Sequence, residues 1–217
     1  MDILGIITSL LILIYSSILH EIAHGYVAYR LGDPTAKLLG RLTLNPRPHI
    51  DLYMSVILPV LMFIGSGGRF IFGGAKPVPV DPFNLKDGIK DLALVSLAGP
   101  GTNILLAVVA SLILHVFYPG FGFFEIAGSG IVGFLLTQIV ELNLLLAIFN
   151  LLPIPPLDGS KVFALLLPER AAAQFLTIGQ SMGMFLLIFL LFFPIGGFDL
   201  MRVVSSIINY SLRLLGF

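Results

Sequence analysis

Apolar residues run through the chain from Ile3 to Phe217, and what interrupts them sets the elements. Residues 3 to about 29 form a first run, long enough as a helix to cross about 30 Å of hydrocarbon. The polar stretch RLGDPTAKLLGRLTLNPRPHID follows. Residues 51 to 72 are apolar again, but Pro59, Gly65, Gly67 and Gly68 break them and make a poor continuous helix. A polar block at 76–91 gives way to a run from Leu92 to Phe117, and further spans are predicted over 131–152 and about 174–193. The last segment, FDLMRVVSSIINYSLRLLGF, puts Leu200, Val203, Val204, Ile207 and Ile208 on one stripe and Arg202, Ser205, Ser206 and Asn209 off it. That pattern suits either a span or an interfacial helix.

Charge placement orients these runs. Arg30, Lys37, Arg41 and Arg47 follow the first span, Lys76, Lys86 and Lys90 precede the next, and Lys161 and Arg170 follow the 131–152 span, while 118–130 has no Lys or Arg. By the positive-inside rule the first three loops are cytoplasmic and the fourth external. All three fall on one side only if 51–80 enters and leaves on that side, so a re-entrant or hairpin element is predicted there. Irregular backbone at that depth is tolerated where it is buried or lines a wet cavity.

Composition agrees with this reading. Of 217 residues, 57% are hydrophobic and 11% charged, against about a quarter charged in a soluble domain, and mean hydropathy is +1.02. The expected fold is therefore an all-α polytopic membrane protein. It is a single membrane domain over 1–217, with about five to six transmembrane helices, the re-entrant element and a short extended segment near the candidate site. The amino terminus lacks a basic n-region and a cleavage site, so it is expected to be retained. Twelve Lys and Arg balance twelve Asp and Glu, which gives no basic excess for a nucleic-acid partner and directs the search to the bilayer. Cysteine is absent, so any metal must be held by His, Asp or Glu.

His20-Glu21-Ile22-Ala23-His24 sits inside the first apolar run. At about 100° per residue, His24 lies roughly 40° around the helix from His20, with Glu21 on the same flank. Two imidazoles so placed can hold one Zn²⁺ and leave the carboxylate free to take a proton from water, the chemistry of a zinc hydrolase. A chance match on a soluble helix is the alternative, but ionisable groups in hydrocarbon are costly and point to function.

A catalytic zinc usually has three protein ligands. Asp158 follows a span that must break at Pro153, Pro155 and Pro156, and it returns to the level of His20; it is the leading candidate, against a plain helix-capping role. Glu141, mid-span with Gln138 and Asn143 nearby, is the rival. It lies too far outward along the helix to share the metal, and a buried polar contact or a water path is expected of it. His49 and His115 read as interfacial. Asn103 and Asn150 fall near the level of His20, where an amide donor could hold an oxyanion or simply bond helix to helix. Residues 70–82, FIFGGAKPVPVDP, read as an extended edge able to pair with an unwound substrate, or as a rigid brace. Gly179 and Gly183 suit a movable gate or ordinary close packing.

Taken together, HEIAH at 20–24, AKPVPVDP at 75–82, GPGTN at 99–103 and NLLPIPPLDG at 150–159 resemble the site-2 protease family of intramembrane zinc metalloproteases, in its compact prokaryotic form. The resemblance implies one Zn²⁺ per chain on His20, His24 and Asp158, with Glu21 as catalytic acid and base and Asn103 and Asn150 lining the site. It also implies transmembrane proteins or peptides as substrates and a multi-pass place in the plasma membrane, the site facing the cytoplasm. The PDZ or CBS domains of many relatives, and the extra span before HExxH in some, have no counterpart in these residues. Two other classes stand beside this one: a membrane metal-ion transporter, which should space its ligands through the bilayer, and a zinc-binding scaffold without proteolytic activity.

Overall fold

The protein is described by a computed structural model covering residues 3–57, 60, 61, 64 and 75–217. Eight α-helices are formed among them: α1 Ile3–Leu31, α2 Thr35–Leu38, α3 Ile89–Phe117, α4 Phe123–Ala127, α5 Ile131–Asn150, α6 Asp158–Ala164, α7 Glu169–Phe192 and α8 Leu200–Leu214. The described residues form no strand beyond an isolated bridge between Ile195 and Phe198. The chain is an all-α polytopic protein, and α1, α3, α5 and α7 are long and apolar enough to cross a membrane.

Among the described residues four such helices are formed, where five or six are expected of the chain. Helix α8 has 15 residues, roughly 22 Å of helix, which is short of the hydrocarbon thickness. Its Leu200, Val204 and Leu212 are buried against the bundle. Within the expected re-entrant element over 51–80, residues 58, 59, 62, 63 and 65–74 lie outside the described residues, and with them 70–74 of the expected extended segment. Helix α7 begins at Glu169 rather than about 174, because Pro168 supplies a start and Glu169 suits a first turn.

Small side chains decide how closely the spans approach. The buried face of α3 carries Ala93, Ser96, Gly99, Pro100, Asn103, Ala107, Ala110 and Ser111, and α1 and α5 pack against it. One core cluster joins α3, α4, α5 and α8 through Ala107, Leu114, Ile126, Val140, Leu144 and Leu212. A second joins α1 to α3 through Ala28, Leu85 and Val95. The third ties the segment before α6 to α7 and α8 through Leu157, Leu187 and Leu200.

Helix α1 ends in a Schellman turn. Asp33 N–H bonds Ala28 O at 2.9 Å and Gly32 N–H bonds Tyr29 O at 3.3 Å, with Gly32 at φ +117°. The turn delivers Asp33, wholly buried, to accept from Thr35 N (3.1 Å), Thr35 Oγ1, Asn84 Nδ2 (3.0 Å) and Asp81 N (2.8 Å). One carboxylate thus fastens the end of α1 to the 81–84 turn. Burial works to raise its pKa, but these hydrogen bonds outweigh burial and hold it below the usual carboxylate range.

Helix α5 ends at Asn150, ahead of three prolines. The chain then folds so tightly that a Cβ on Gly159 would lie 2.1 Å from Leu151 O and 2.6 Å from Leu152 O. On α7, a Cβ on Gly179 would meet Pro155 Cβ at 2.3 Å, and one on Gly183 would meet Pro155 O at 2.5 Å. The two glycines seat the proline loop that leads into Asp158, which is the packing alternative considered for them.

Candidate metal centre

Two helices bring three buried ligands together. His20 and His24 come from adjacent turns of α1, Asp158 from the first residue of α6, and each is no more than 8% exposed. Asp158 Oδ2 lies 3.2 Å from His20 Nε2 and 3.1 Å from His24 Nε2, and the two Nε2 atoms are 3.0 Å apart. Zn²⁺ bound at about 2.0–2.1 Å in tetrahedral geometry separates its ligand atoms by roughly 3.3 Å. Two imidazoles and a carboxylate at these spacings fit a catalytic zinc, and among the described residues this is the one group of three such side chains that could hold a metal ion.

The third helix of the site, α3, contributes backbone and space. His24 Nδ1 donates to Val95 O at 2.7 Å, which turns its Nε2 lone pair toward the centre. Gly99 lies directly against the two rings: a Cβ there would sit 2.5 Å from Nε2 of both His20 and His24. Gly101, by contrast, would meet nothing within 4 Å. Of the two glycines in GPGTN, Gly99 admits the imidazoles and Gly101 is open.

Glu21 stands beside the cluster and outside it. It is half-buried, and its Oε2 accepts the backbone N–H of Val78 at 2.7 Å. Lys161 Nζ lies 3.2 Å from Asp158 Oδ1, on the side of that carboxylate away from the histidines.

The segment holding Glu21 is the one expected to be a free edge. Over Lys76–Pro79 its donors are already used: Lys76 N–H bonds His49 O at 2.7 Å, Val78 N–H bonds Glu21, and Pro77 and Pro79 have none. Arg41 Nη2 also donates to Lys76 O at 2.7 Å. Between Lys76 and Pro79 a pairing strand would therefore meet carbonyls only, which narrows the expected strand addition to one kind of contact.

The two amides part company. Asn103 is wholly buried; its Oδ1 lies 2.6 Å from His20 Nδ1 and its Nδ2 donates to Asn143 Oδ1 at 2.8 Å. It braces a histidine rather than facing the open side of the site. Asn150 is half-buried and donates to Leu146 O at 2.9 Å, one turn back on its own helix. Glu141 is exposed on α5, which removes the buried polar contact from the two roles considered for it. His49 is buried with Nε2 against Thr43 O at 2.9 Å, and His115 packs on Phe217; neither joins the cluster. Asn143 was not singled out from sequence, although an amide in mid-span that is not on the lipid face is a polar signal of its own.

Comparison with known proteins gives this arrangement a family. The model of "Peptidase family M50" matches residues 8–135 and 125–191. The chain belongs to peptidase family M50. The M50 match spans HEIAH, GPGTN and NLLPIPPLDG, and with the four apolar helices it identifies a membrane protein of the metalloprotease type. Among M50 relatives, "Putative zinc metalloprotease YwhC" of Bacillus subtilis is 37% identical over 195 residues, 89% of this chain and 84% of that protein. "Putative zinc metalloprotease Rip2" of Mycolicibacterium smegmatis is 37% identical over 142 residues, 65% of this chain but 50% of its own length. "Putative zinc metalloprotease MJ0611" of Methanocaldococcus jannaschii is 38% identical over 110 residues, 51% of each chain. No solved structure gave a significant match.

Proposed function

We propose that this chain is a zinc endopeptidase of the HExxH type that hydrolyses peptide bonds within or near the transmembrane segments of other membrane proteins. One zinc ion would be held by His20, His24 and Asp158. The observation that carries the reading is the convergence of these three buried ligand atoms between α1, α3 and α6, with the Glu21 carboxylate left free of them.

Zinc bound there supplies Lewis acidity, polarising a carbonyl oxygen and making water more acidic at neutral pH. The protein's own groups do the rest. Glu21 accepts a proton from the water that adds to the scissile carbonyl and returns it to the amine nitrogen as the C–N bond breaks. The Val78 N–H holds one oxygen of that carboxylate and leaves the other to face water. Asn103 is committed at both ends, so of the two amides Asn150, with a second N–H beyond its bond to Leu146 O, is the one that keeps a donor for a substrate oxygen.

A helical substrate keeps its carbonyls hydrogen-bonded, so it must unwind to react. An unwound strand can be received along Lys76–Pro79 by donating its own N–H groups to the carbonyls of that segment. Charge bias supports a cytoplasmic orientation for the site, and the membrane is read as the plasma membrane.

The test is cleavage of a panel of transmembrane peptides by purified protein in lipid nanodiscs, followed by mass spectrometry. Cuts in or near the apolar segment, abolished by a zinc chelator and restored by zinc, are expected. Full zinc occupancy with no peptide cut, or zinc flux across vesicles without cleavage, would sink the reading.

A further inference from the structure

A chain of buried hydrogen bonds runs from His20 across two helices to a backbone carbonyl. His20 Nδ1 meets Asn103 Oδ1 at 2.6 Å, Asn103 Nδ2 meets Asn143 Oδ1 at 2.8 Å, and Asn143 Nδ2 meets Ile139 O and Ser16 Oγ, both at 2.9 Å. Asn103 and Asn143 are each 0% exposed, so no bulk solvent supplies a substitute partner.

The polarity of this chain is not free. A Ser hydroxyl can donate or accept, but the carbonyl of Ile139 can only accept. The Asn143 atom beside it must therefore be the amide nitrogen, which turns Asn143 Oδ1 toward Asn103. Facing an acceptor, Asn103 must present Nδ2 to it and Oδ1 to His20. Facing Oδ1, His20 must carry its proton on Nδ1 and keep the Nε2 lone pair for the centre it shares with His24 and Asp158.

We propose that Asn143 is a positioning residue for metal binding: anchored on Ile139 O, it acts through Asn103 to fix His20 in the Nδ1–H tautomer. The inference rests on the zinc reading for its purpose, though its structural content does not depend on cleavage. His24 reaches the same tautomer by a shorter route, directly from Val95 O. His20 needs the longer one because its Nδ1 faces a side-chain amide, and an amide is reversible unless something orients it. A reversed Asn103 would offer N–H to Nδ1, move the imidazole proton to Nε2 and block the ligand position.

The test uses the full chain in detergent with ¹⁵N-labelled histidine, where four histidines are assigned by single substitutions. Zinc-free protein should show His20 protonated on Nδ1. Asn143→Leu, of similar volume and without polar atoms, should show mixed tautomers and a zinc dissociation constant raised about 10- to 100-fold by chelator competition, the range for partners of a metal ligand. Asn143→Asp, which keeps an acceptor toward Asn103 Nδ2, should stay within about threefold of the parent, a small part of that range. His20 protonated on Nε2 in the zinc-free parent would overturn the proposal even if neither variant folds. So would Asn143→Leu with unchanged tautomer and unchanged zinc affinity. Protein that shows the fixed tautomer but cleaves no peptide would leave this inference standing and defeat the protease reading alone.

Discussion

Val78 donates its backbone N–H to Glu21 Oε2 at 2.7 Å, from a segment whose flanking positions are both proline. The bond fixes one oxygen of the carboxylate without offering it a competing cation. Hydrogen bonds to charged groups contribute about 1.5–3 kcal/mol. Val78→Pro removes the donor in a stretch already punctuated by proline, and turnover of a transmembrane peptide should fall roughly 10- to 100-fold. Zinc content should not change, because Glu21 is outside the ligand set. Unchanged turnover would show that the amide does not orient the base.

The close approach of Gly99 to the histidine rings predicts an asymmetric response within GPGTN. Gly99→Ala places a methyl group 2.5 Å from both Nε2 atoms and should weaken zinc binding by roughly 100-fold or more, at or beyond the upper end seen for disturbed ligand supports. Gly101→Ala meets nothing, and its effect on unfolding should stay within about 0.5 kcal/mol. Metal analysis of the two purified variants checks the first, and their unfolding against the parent checks the second. Equal zinc content in the two would contradict the geometry.

Asp33 yields a pH prediction whose sign follows from its lowered pKa. A carboxyl with a folded-state pKa below its unfolded value, about 3.9, stabilises the fold at pH above that value. The contribution is lost as pH falls through the folded value. Asp33→Asn should cost about 2 kcal/mol near neutrality through the loss of charge-assisted acceptance. The gap between parent and variant in thermal unfolding should hold from pH 7 to about 5 and narrow below about 4. A gap that widens on acidification would contradict the assignment.

Much of this arrangement is legible in the sequence because it depends on local rules. HEIAH shares one helix face by periodicity alone, and Asp158 returns to that level because prolines end α5 and a new helix starts at once. What escaped the sequence depends on contacts between helices. Nothing in AKPVPVDP says that Val78 N–H is used by Glu21 rather than left for a substrate. Asn103 and Asn150 look alike as amides near one depth, yet one is enclosed by α1 and α5 and the other turns back on its own helix. Asn143 carries no motif, and its place in the chain to His20 follows only from the packing of α5 against α1 and α3. Glu141 shows the converse: a charge in an apolar run suggested burial, but the helix turns it outward.

The central claim, that Glu21 moves the proton while His20, His24 and Asp158 hold the metal, is tested most directly by Glu21→Gln. The variant and its parent should be purified in parallel, their zinc measured, and both incubated with the same transmembrane peptide. Equal zinc in the two proteins is expected, with cleavage by the variant slower than by the parent by several orders of magnitude. Cleavage by Glu21→Gln at the parent's rate would contradict it.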